Sequence, residues 1–94
     1  MSSEKASRGF SPGRLVATPG VLDAVPREEL MNAFYRHLYC DWGDISEQDK
    51  QMNNDALKHG ERLLSAYRSS DNVKFWIITE ADRSYTTMLL PSEY

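Results

Sequence analysis

Apolar, aromatic and β-branched residues are concentrated in two short runs near the C-terminal end of the chain. Residues 72–79 read NVKFWIIT and residues 85–90 read YTTMLL. Aromatic and β-branched side chains suit the half-buried surface of a sheet, and about six residues is a common strand length. The pattern therefore predicts a β-hairpin whose turn is the polar stretch between the two runs.

Upstream, apolar residues recur at helical spacing in two longer segments. After Pro26, they recur every three or four positions from Leu30 to Leu38, which predicts a helix ending at about residue 39. The sequence SEQD that begins at Ser46 resembles a capping box, with Asp49 in the third position after Ser46. It predicts a further helix to about residue 67 or 68, with Gly60 at a close approach to a neighbouring element.

The residues before these two helices predict a strand and a short helix. Arg14–Thr18 is short and apolar, which favours a strand. Thr18 and Pro19 are typical of a helix start, because Thr caps the first turn and Pro lacks only an N–H that has no partner there. The order β-α-α-α-β-β then predicts an α+β fold: a small antiparallel sheet of about three strands, covered on one face by two main helices.

The chain of 94 residues is long enough for one domain with a single modest core. Residues 1–13 are rich in Ser and Gly and end in a Ser-Pro-Gly turn, so we expect a flexible N-terminal tail. Residues 14–94 are expected to form the α+β domain. Cys40 is the only cysteine, so no intramolecular disulfide can form and a cytoplasmic location is the simplest interpretation.

Composition and charge argue against several classes of partner. The net charge of −3 leaves no surplus of basic residues to displace counterions, so direct nucleic-acid binding is not expected. No apolar run approaches the ~20 residues of a membrane span. No phosphate-loop, dinucleotide-binding or zinc-protease spacing is present, and we predict no cofactor.

Four side chains have the chemistry of metal ligands. His37 and Cys40 share a helix face, and Asp41 and His59 could complete a tetrahedral zinc site. The chain has no CxxC or HxxxH spacing, however, and His37 belongs to the apolar stripe of its helix. We interpret His37 as a core residue and predict no metal site. We predict no catalytic residue either, because nothing in the sequence indicates an activated thiol.

The polar turn of the hairpin, residues 79–87, is the leading candidate binding site. A tight turn requires Gly, Asn or Asp at one or two positions, whereas this one carries Glu80, Asp82, Arg83 and Thr86. Arg83 can form a bidentate pair with a ligand carboxylate or phosphate, or with Glu80 or Asp82. The alternative interpretation is an internally paired loop that only adds solubility.

Three further residues are candidates for a binding surface. Trp42, beside Gly43 and Asp44, either fills the corner between the second and third helices or presents an aromatic anchor. The carboxylate of Asp44 belongs to an acidic stretch that could mimic phosphates, or that simply favours a helix start. Trp76 lies on the face of its strand opposite Phe75. An open aromatic sheet face would be a candidate surface for a partner or a homodimer.

Six segments of the chain carry a resemblance to known proteins. They read LVATPG (15–20), DWGD (41–44), NDAL (54–57), RLLSAY (62–67), WIITEADRS (76–84) and TTMLLPSEY (86–94). Together they resemble a family of small bacterial proteins labelled plasmid-related or hypothetical. The resemblance covers about residues 14–94, and its last segment is the most specific. It implies a bacterial setting associated with mobile elements, and it implies no particular activity.

Three hypotheses for function follow. The first is a non-enzymatic binding protein that acts on a protein partner through the turn and the sheet face. In a mobile-element setting that partner could be host defence machinery, as for an anti-restriction or anti-CRISPR inhibitor. The second is a small-ligand or nucleotide-binding module that uses the four polar residues of the turn. The third is a small enzyme that pairs a carboxylate with His37 or His59.

Overall fold

The structure, a computed structural model, describes residues 9–94. Within this range, three α-helices and a four-stranded sheet form the domain, which confirms the predicted α+β class. No helix in the range combines the length and the hydropathy that a bilayer crossing requires. In chain order the elements are β1 (Arg14–Ala17), α1 (Pro19–Ala24), α2 (Arg27–Leu38), α3 (Glu47–His59), β2 (Leu63–Arg68), β3 (Lys74–Thr79), β4 (Tyr85–Leu89) and a 3-10 helix (Pro91–Glu93).

The sheet has the strand order β1-β4-β3-β2 and is mixed. Strand β3 pairs antiparallel with both β2 and β4, and the predicted hairpin of β3 and β4 is confirmed, with Thr79 opposite Thr86. Strand β1 pairs with β4 in parallel, so that Arg14 is the partner of Tyr85. A parallel pairing needs a long connection between its strands, and the three helices lie within that connection.

The prediction for the third helix is wrong in its second half. Helix α3 ends at His59, and Leu63–Arg68 forms strand β2. Gly60 ends the helix, because it has a φ of 68° and its N–H donates to Ala56 O in a left-handed C-cap. It is not a point of close approach, since a Cβ atom there would meet no atom within 4 Å. The sheet therefore has four strands instead of about three.

The helix starts agree with the sequence. Pro19 is the first residue of α1, and the Thr18 hydroxyl accepts a hydrogen bond from the Val21 N–H over 3.3 Å. The Ser46 hydroxyl accepts from the Asp49 N–H over 3.0 Å at the start of α3. Both predicted N-caps are confirmed, and each satisfies a backbone donor that the first turn of a helix leaves unpaired.

The main core lies between the helices and one face of the sheet, which we call the inner face. Its buried strand residues are Tyr67, Phe75, Ile77 and Met88. Helices α1 and α2 and a residue between them cover these side chains with Val21, Val25, Leu30, Phe34 and Leu38. Burial of such apolar surface contributes about 25 cal/mol per Å², so helical cover of this face stabilises the domain.

Helix α3 packs along the edge of the sheet. Ala56 contacts Leu63 and Trp42 in a second, smaller core. The side-chain amide of Asn53 donates to Leu64 O over 2.7 Å and accepts from the Leu64 N–H over 3.1 Å. A neighbouring strand would make the same hydrogen bonds, so α3 covers the edge of β2 that faces away from β3.

The predicted flexible tail comprises residues 1–13, and its first eight residues lie outside the described range. Phe10 stacks on Trp42, with 6.2 Å between the ring centroids. The carbonyl of Pro12 accepts a hydrogen bond of 2.7 Å from the Thr86 hydroxyl. The described end of the tail is therefore packed on the domain, which corrects that part of the prediction. Burial of the Phe10 ring offsets the entropy lost when this segment is ordered.

Candidate interaction surface

The face of the sheet opposite the inner face, which we call the outer face, carries alternate residues of all four strands. The register aligns Val16, Thr87, Ile78 and Leu64 in one row across the sheet. Trp76 lies in the next row on the same face. Because strand residues alternate between faces, these side chains point away from the helices that cover the inner face.

The C-terminal residues cover part of the outer face. Tyr94 packs edge-on against Trp76, with 5.7 Å between the ring centroids. Arg62 donates to the Tyr94 hydroxyl over 2.7 Å, and its guanidinium lies 5.6 Å from the centre of the same ring. The Glu93 carboxylate accepts from the Gly20 N–H over 3.0 Å. The segment after β4 is thus fixed both over Trp76 and at the start of α1.

The cover is incomplete beside β1. Val16 is 39% exposed and Tyr85 is 42% exposed. The two side chains are diagonal neighbours, because Arg14, two residues before Val16, is the partner of Tyr85. With Arg14 and Ser84 they line an open cleft of about 410 Å³. We call this surface, defined by Arg14, Val16, Ser84 and Tyr85, the β1 cleft.

Arg83, in the hairpin turn, donates its hydrogen bonds to backbone carbonyls within the molecule. Its guanidinium donates to Glu61 O over 2.7 Å, to Glu80 O over 3.0 Å and to Ala56 O over 3.4 Å. The cation therefore lies near the C-terminal end of α3, where the helix dipole favours positive charge. The partners of Arg83 are internal, as the alternative interpretation of the turn proposed, but they are carbonyls and not carboxylates.

Glu80 and Asp82 lie at the surface of the turn. The Asp82 carboxylate accepts from the Ser84 N–H over 2.9 Å, and hydrogen bonds from Ser84, its side chain first, lower the pKa of Asp82. Glu80 and Asp82 line a shallow depression of about 360 Å³ that also includes Ser84 and Tyr85. These two predicted binding residues therefore adjoin the β1 cleft.

Thr86 is fully buried and belongs to a chain of polar groups inside the core. Its Oγ1 donates to Pro12 O over 2.7 Å and lies 2.7 Å from Thr79 Oγ1. His37 continues the chain, because its Nε2 lies 2.8 Å from Thr79 Oγ1 and its Nδ1 lies 2.5 Å from Ser65 Oγ. This buried polar chain crosses β2, β3 and β4 and reaches the segment before β1.

The number of available protons determines which group donates in each hydrogen bond of the buried polar chain. The single hydroxyl proton of Thr86 goes to a carbonyl, so Thr79 must donate to Thr86, and His37 must donate to Thr79 from Nε2. Nδ1 is then free to accept from Ser65. Burial, with a smaller effect of the Arg83 charge, lowers the pKa of His37 to about 3. The imidazole is therefore neutral at neutral pH, with both nitrogens bonded.

The other predicted site residues lie beside β2 and outside the β1 cleft. Trp42 is 3% exposed and donates from Nε1 to Asn54 Oδ1 over 3.1 Å, so it fills the corner between α2 and α3. Asp44 is exposed and pairs with Arg68 Nε over 3.1 Å. Burial raises the pKa of the Cys40 thiol, which disfavours the thiolate form.

Sequence reasoning missed Arg14, Val16 and Tyr85 as surface residues. Alternation within β1 places Arg14 and Val16 on one face, but nothing in the local sequence shows that β4 is their neighbour. Within the described range, no three His, Cys, Asp or Glu side chains are grouped as a metal ion would need. Comparisons with protein-family models, with curated proteins and with solved structures find no match.

Proposed function

We propose that the protein is a small non-enzymatic binding protein that holds a protein partner on the β1 cleft and the adjoining hairpin turn. One observation carries the proposal: Val16 and Tyr85 are exposed side by side, with the charges of Arg14 and Asp82 nearby. An apolar and aromatic centre with a charged rim is the usual composition of a protein–protein contact site.

The more reactive side chains already form hydrogen bonds inside the molecule, which favours binding of a protein over chemistry on a small molecule. His37 has both ring nitrogens bonded in the core, and Thr86 is buried. The guanidinium of Arg83 is used by backbone carbonyls. A nucleotide or small-ligand module would need such donors at its surface. The β1 cleft offers an aromatic ring and an aliphatic side chain instead.

The family resemblance supports extending this proposal to a bacterial setting associated with mobile elements. There we expect the partner to be host defence machinery. The protein would act in the cytoplasm as an anti-restriction or anti-CRISPR type of inhibitor. Such a protein works by covering a functional surface of a larger partner, and this requires no active site of its own.

Affinity purification with matched variants tests the proposal. Tyr85→Ala removes a ring that is 42% exposed in the β1 cleft, whereas Tyr39→Ala removes one that is 52% exposed after α2. We expect wild type and Tyr39→Ala to retain one stoichiometric partner from bacterial lysate. Tyr85→Ala should bind the purified partner at least about tenfold more weakly, which is about 1.4 kcal/mol.

Two outcomes would contradict the proposal. One is the absence of any stoichiometric partner for the wild-type protein. The other is a partner that both tyrosine variants bind equally well. The inhibitor role has a separate test, in which cells that restrict an unmodified phage are compared with and without the protein. Unchanged restriction, despite a confirmed partner, would remove the inhibitor role and leave the binding role.

A further inference from the structure

The edge of the sheet at β1 is open. The Arg14 N–H donates to Ser84 O, just before β4, and the Thr18 N–H donates to Met88 O, each over 3.0 Å. Because successive strand residues direct their backbone groups to opposite sides, Leu15 and Ala17 point their N–H and C=O groups away from the sheet. In the described part of the chain, β1 pairs with β4 alone. An open row of this kind is a template for another strand.

We propose that β1 pairs antiparallel with β1 of a second copy of this chain and joins the two four-stranded sheets into one continuous sheet. In this register, Leu15 of each copy faces Ala17 of the other. Each of these pairs exchanges two N–H···O bonds, so all the open groups of both strands are used. The contact lies at the strand edge and not on the sheet face that the sequence suggested for a homodimer.

Neighbouring registers leave open groups unpaired. Shifting one copy by two residues in one direction places Pro19, which has no N–H, opposite Leu15. Shifting it in the other direction places Gly13 opposite Ala17, and Gly13 has a φ of 67°, outside the strand region. Of these registers, only the one that pairs Leu15 with Ala17 uses all the outward N–H and C=O groups of both residues.

The exposed side chains of the outer face suit this register. Val16, which is 39% exposed, lies on the two-fold axis and meets Val16 of the second copy. The pair is of the non-hydrogen-bonded type, with Cα atoms about 4.5 Å apart, so the two side chains come into contact. Tyr85 of each copy lies diagonally beside this pair. The two β1 clefts thereby merge into one surface.

Charge complementarity identifies the occupant as a second copy. Arg14 forms no ion pair within the described residues. In each copy, the Thr18 hydroxyl and the Gly20 N–H donate to the Glu93 carboxylate, which holds it beside Thr18. Because Arg14 faces Thr18 of the second copy, it comes within reach of Glu93 of that copy. The two-fold axis produces this ion pair twice.

The mass of the purified full-length protein in solution tests the inference. In sedimentation equilibrium from micromolar to millimolar concentration, wild type should shift from the 10.8 kDa monomer towards a dimer. Val16→Lys places two like charges opposite each other on the axis and should raise the dimer dissociation constant about tenfold or more. Tyr35→Lys, a matched change at a 53% exposed residue of α2, should leave it unchanged.

Two more variants examine separate parts of the contact. Ala17→Pro removes an outward N–H while the pairing of β1 with β4 stays intact, so the dimer should weaken although the monomer folds normally. Arg14→Glu places a carboxylate near Glu93 of the second copy and should also weaken the dimer, most strongly at low salt. Circular dichroism verifies that each variant is folded.

A wild-type protein that stays monomeric at millimolar concentration would overturn the inference. A dimer that Val16→Lys and Ala17→Pro both leave intact would overturn it as well, because the copies would then meet elsewhere. These measurements use the purified protein alone. Their outcome therefore does not depend on whether the proposed protein partner exists.

Discussion

The two edge strands of the sheet, β2 and β1, differ in whether other parts of the described structure cover them. At β2, Ala66 donates its N–H to Trp42 O over 3.2 Å and accepts from the Asp44 N–H over 2.7 Å. The side-chain amide of Asn53 pairs with the backbone of Leu64 at 2.7 and 3.1 Å. A short segment and one side chain thus take the place of the next strand, and they satisfy the outward groups of Leu64 and Ala66.

At β1, Leu15 and Ala17 present their outward groups without such a cover in the described part of the chain. The strand is also short, because Gly13 turns the chain before it and Pro19 starts a helix after it. A short edge limits uncontrolled strand addition and still permits one specific pairing. The comparison shows that α3 and its preceding loop cover one edge, and that β1 has no such cover in the described part of the chain.

The largest expected effect concerns the buried polar chain. This chain of hydrogen bonds runs from Ser65 on β2 to Pro12 before β1 and so links the two edges. Burial and the Arg83 charge lower the pKa of His37 from 6.5 to about 3. Between these pH values the unfolded state binds more protons than the folded state, so stability falls as the pH falls. From pH 6.5 to 3 the loss due to His37 should reach about 4 kcal/mol.

Urea unfolding at a series of pH values measures this loss. Within the same window, wild type should lose up to about 1.4 kcal/mol per pH unit more than His37→Gln. His59→Gln changes the exposed histidine of α3 and serves as the control, which should follow wild type. Parallel curves for wild type and His37→Gln would contradict a neutral, fully bonded His37.

Matched proline substitutions compare the two edges directly. Ala66→Pro removes the N–H that donates to Trp42 at the covered edge and should cost about 3 kcal/mol, because a buried carbonyl loses its donor and the strand is distorted. Ala17→Pro removes an N–H with no partner in the monomer and should cost less than about 1 kcal/mol. Urea unfolding at low protein concentration gives both values. Equal costs would mean that the edges do not differ.

The amide of Asn53 can be tested in the same way. Asn53→Leu keeps a side chain of similar size but removes both bonds to Leu64, so the free energy of unfolding should fall by about 2 kcal/mol. Gln48→Leu introduces the same side chain at an exposed position of α3 and should change it by less than about 0.5 kcal/mol. A neutral Asn53→Leu would show that water satisfies this edge equally well.

Most of the fold was predictable because local signals and tertiary packing agree. The hairpin and the caps at Thr18 and Ser46 follow from residue types that favour one local structure. Residues 63–68 were mispredicted, because their apolar positions fit both a helix and a strand and only Gly60 separates the two. The parallel pairing of β1 with β4 joins residues about 70 positions apart, and no local pattern contains it.

The polar hairpin turn beside the β1 cleft was predictable in its place along the chain, but the bonds made by its side chains were not. Glu80 and Asp82 lie at the surface, as a polar turn suggests. Arg83 and Thr86 bond instead to carbonyls such as those of Glu61 and Pro12, which come from distant segments. A residue's type shows which bonds it can make, whereas the folded chain determines which of them are already made.

The smallest expected effect concerns the start of α3, the helix that covers β2. The Ser46 hydroxyl caps this helix by accepting from the Asp49 N–H, so Ser46→Ala should lower the free energy of unfolding by about 1 kcal/mol. Ser46→Asp retains a capping oxygen and should lose less. Hydrogen exchange adds a sharper readout, because the Leu64 amide is bonded to Asn53 of the same helix. If the cover of β2 depends on α3, that amide should exchange about fivefold faster in Ser46→Ala. An unchanged rate in a destabilised variant would show that the edge of β2 opens independently of α3.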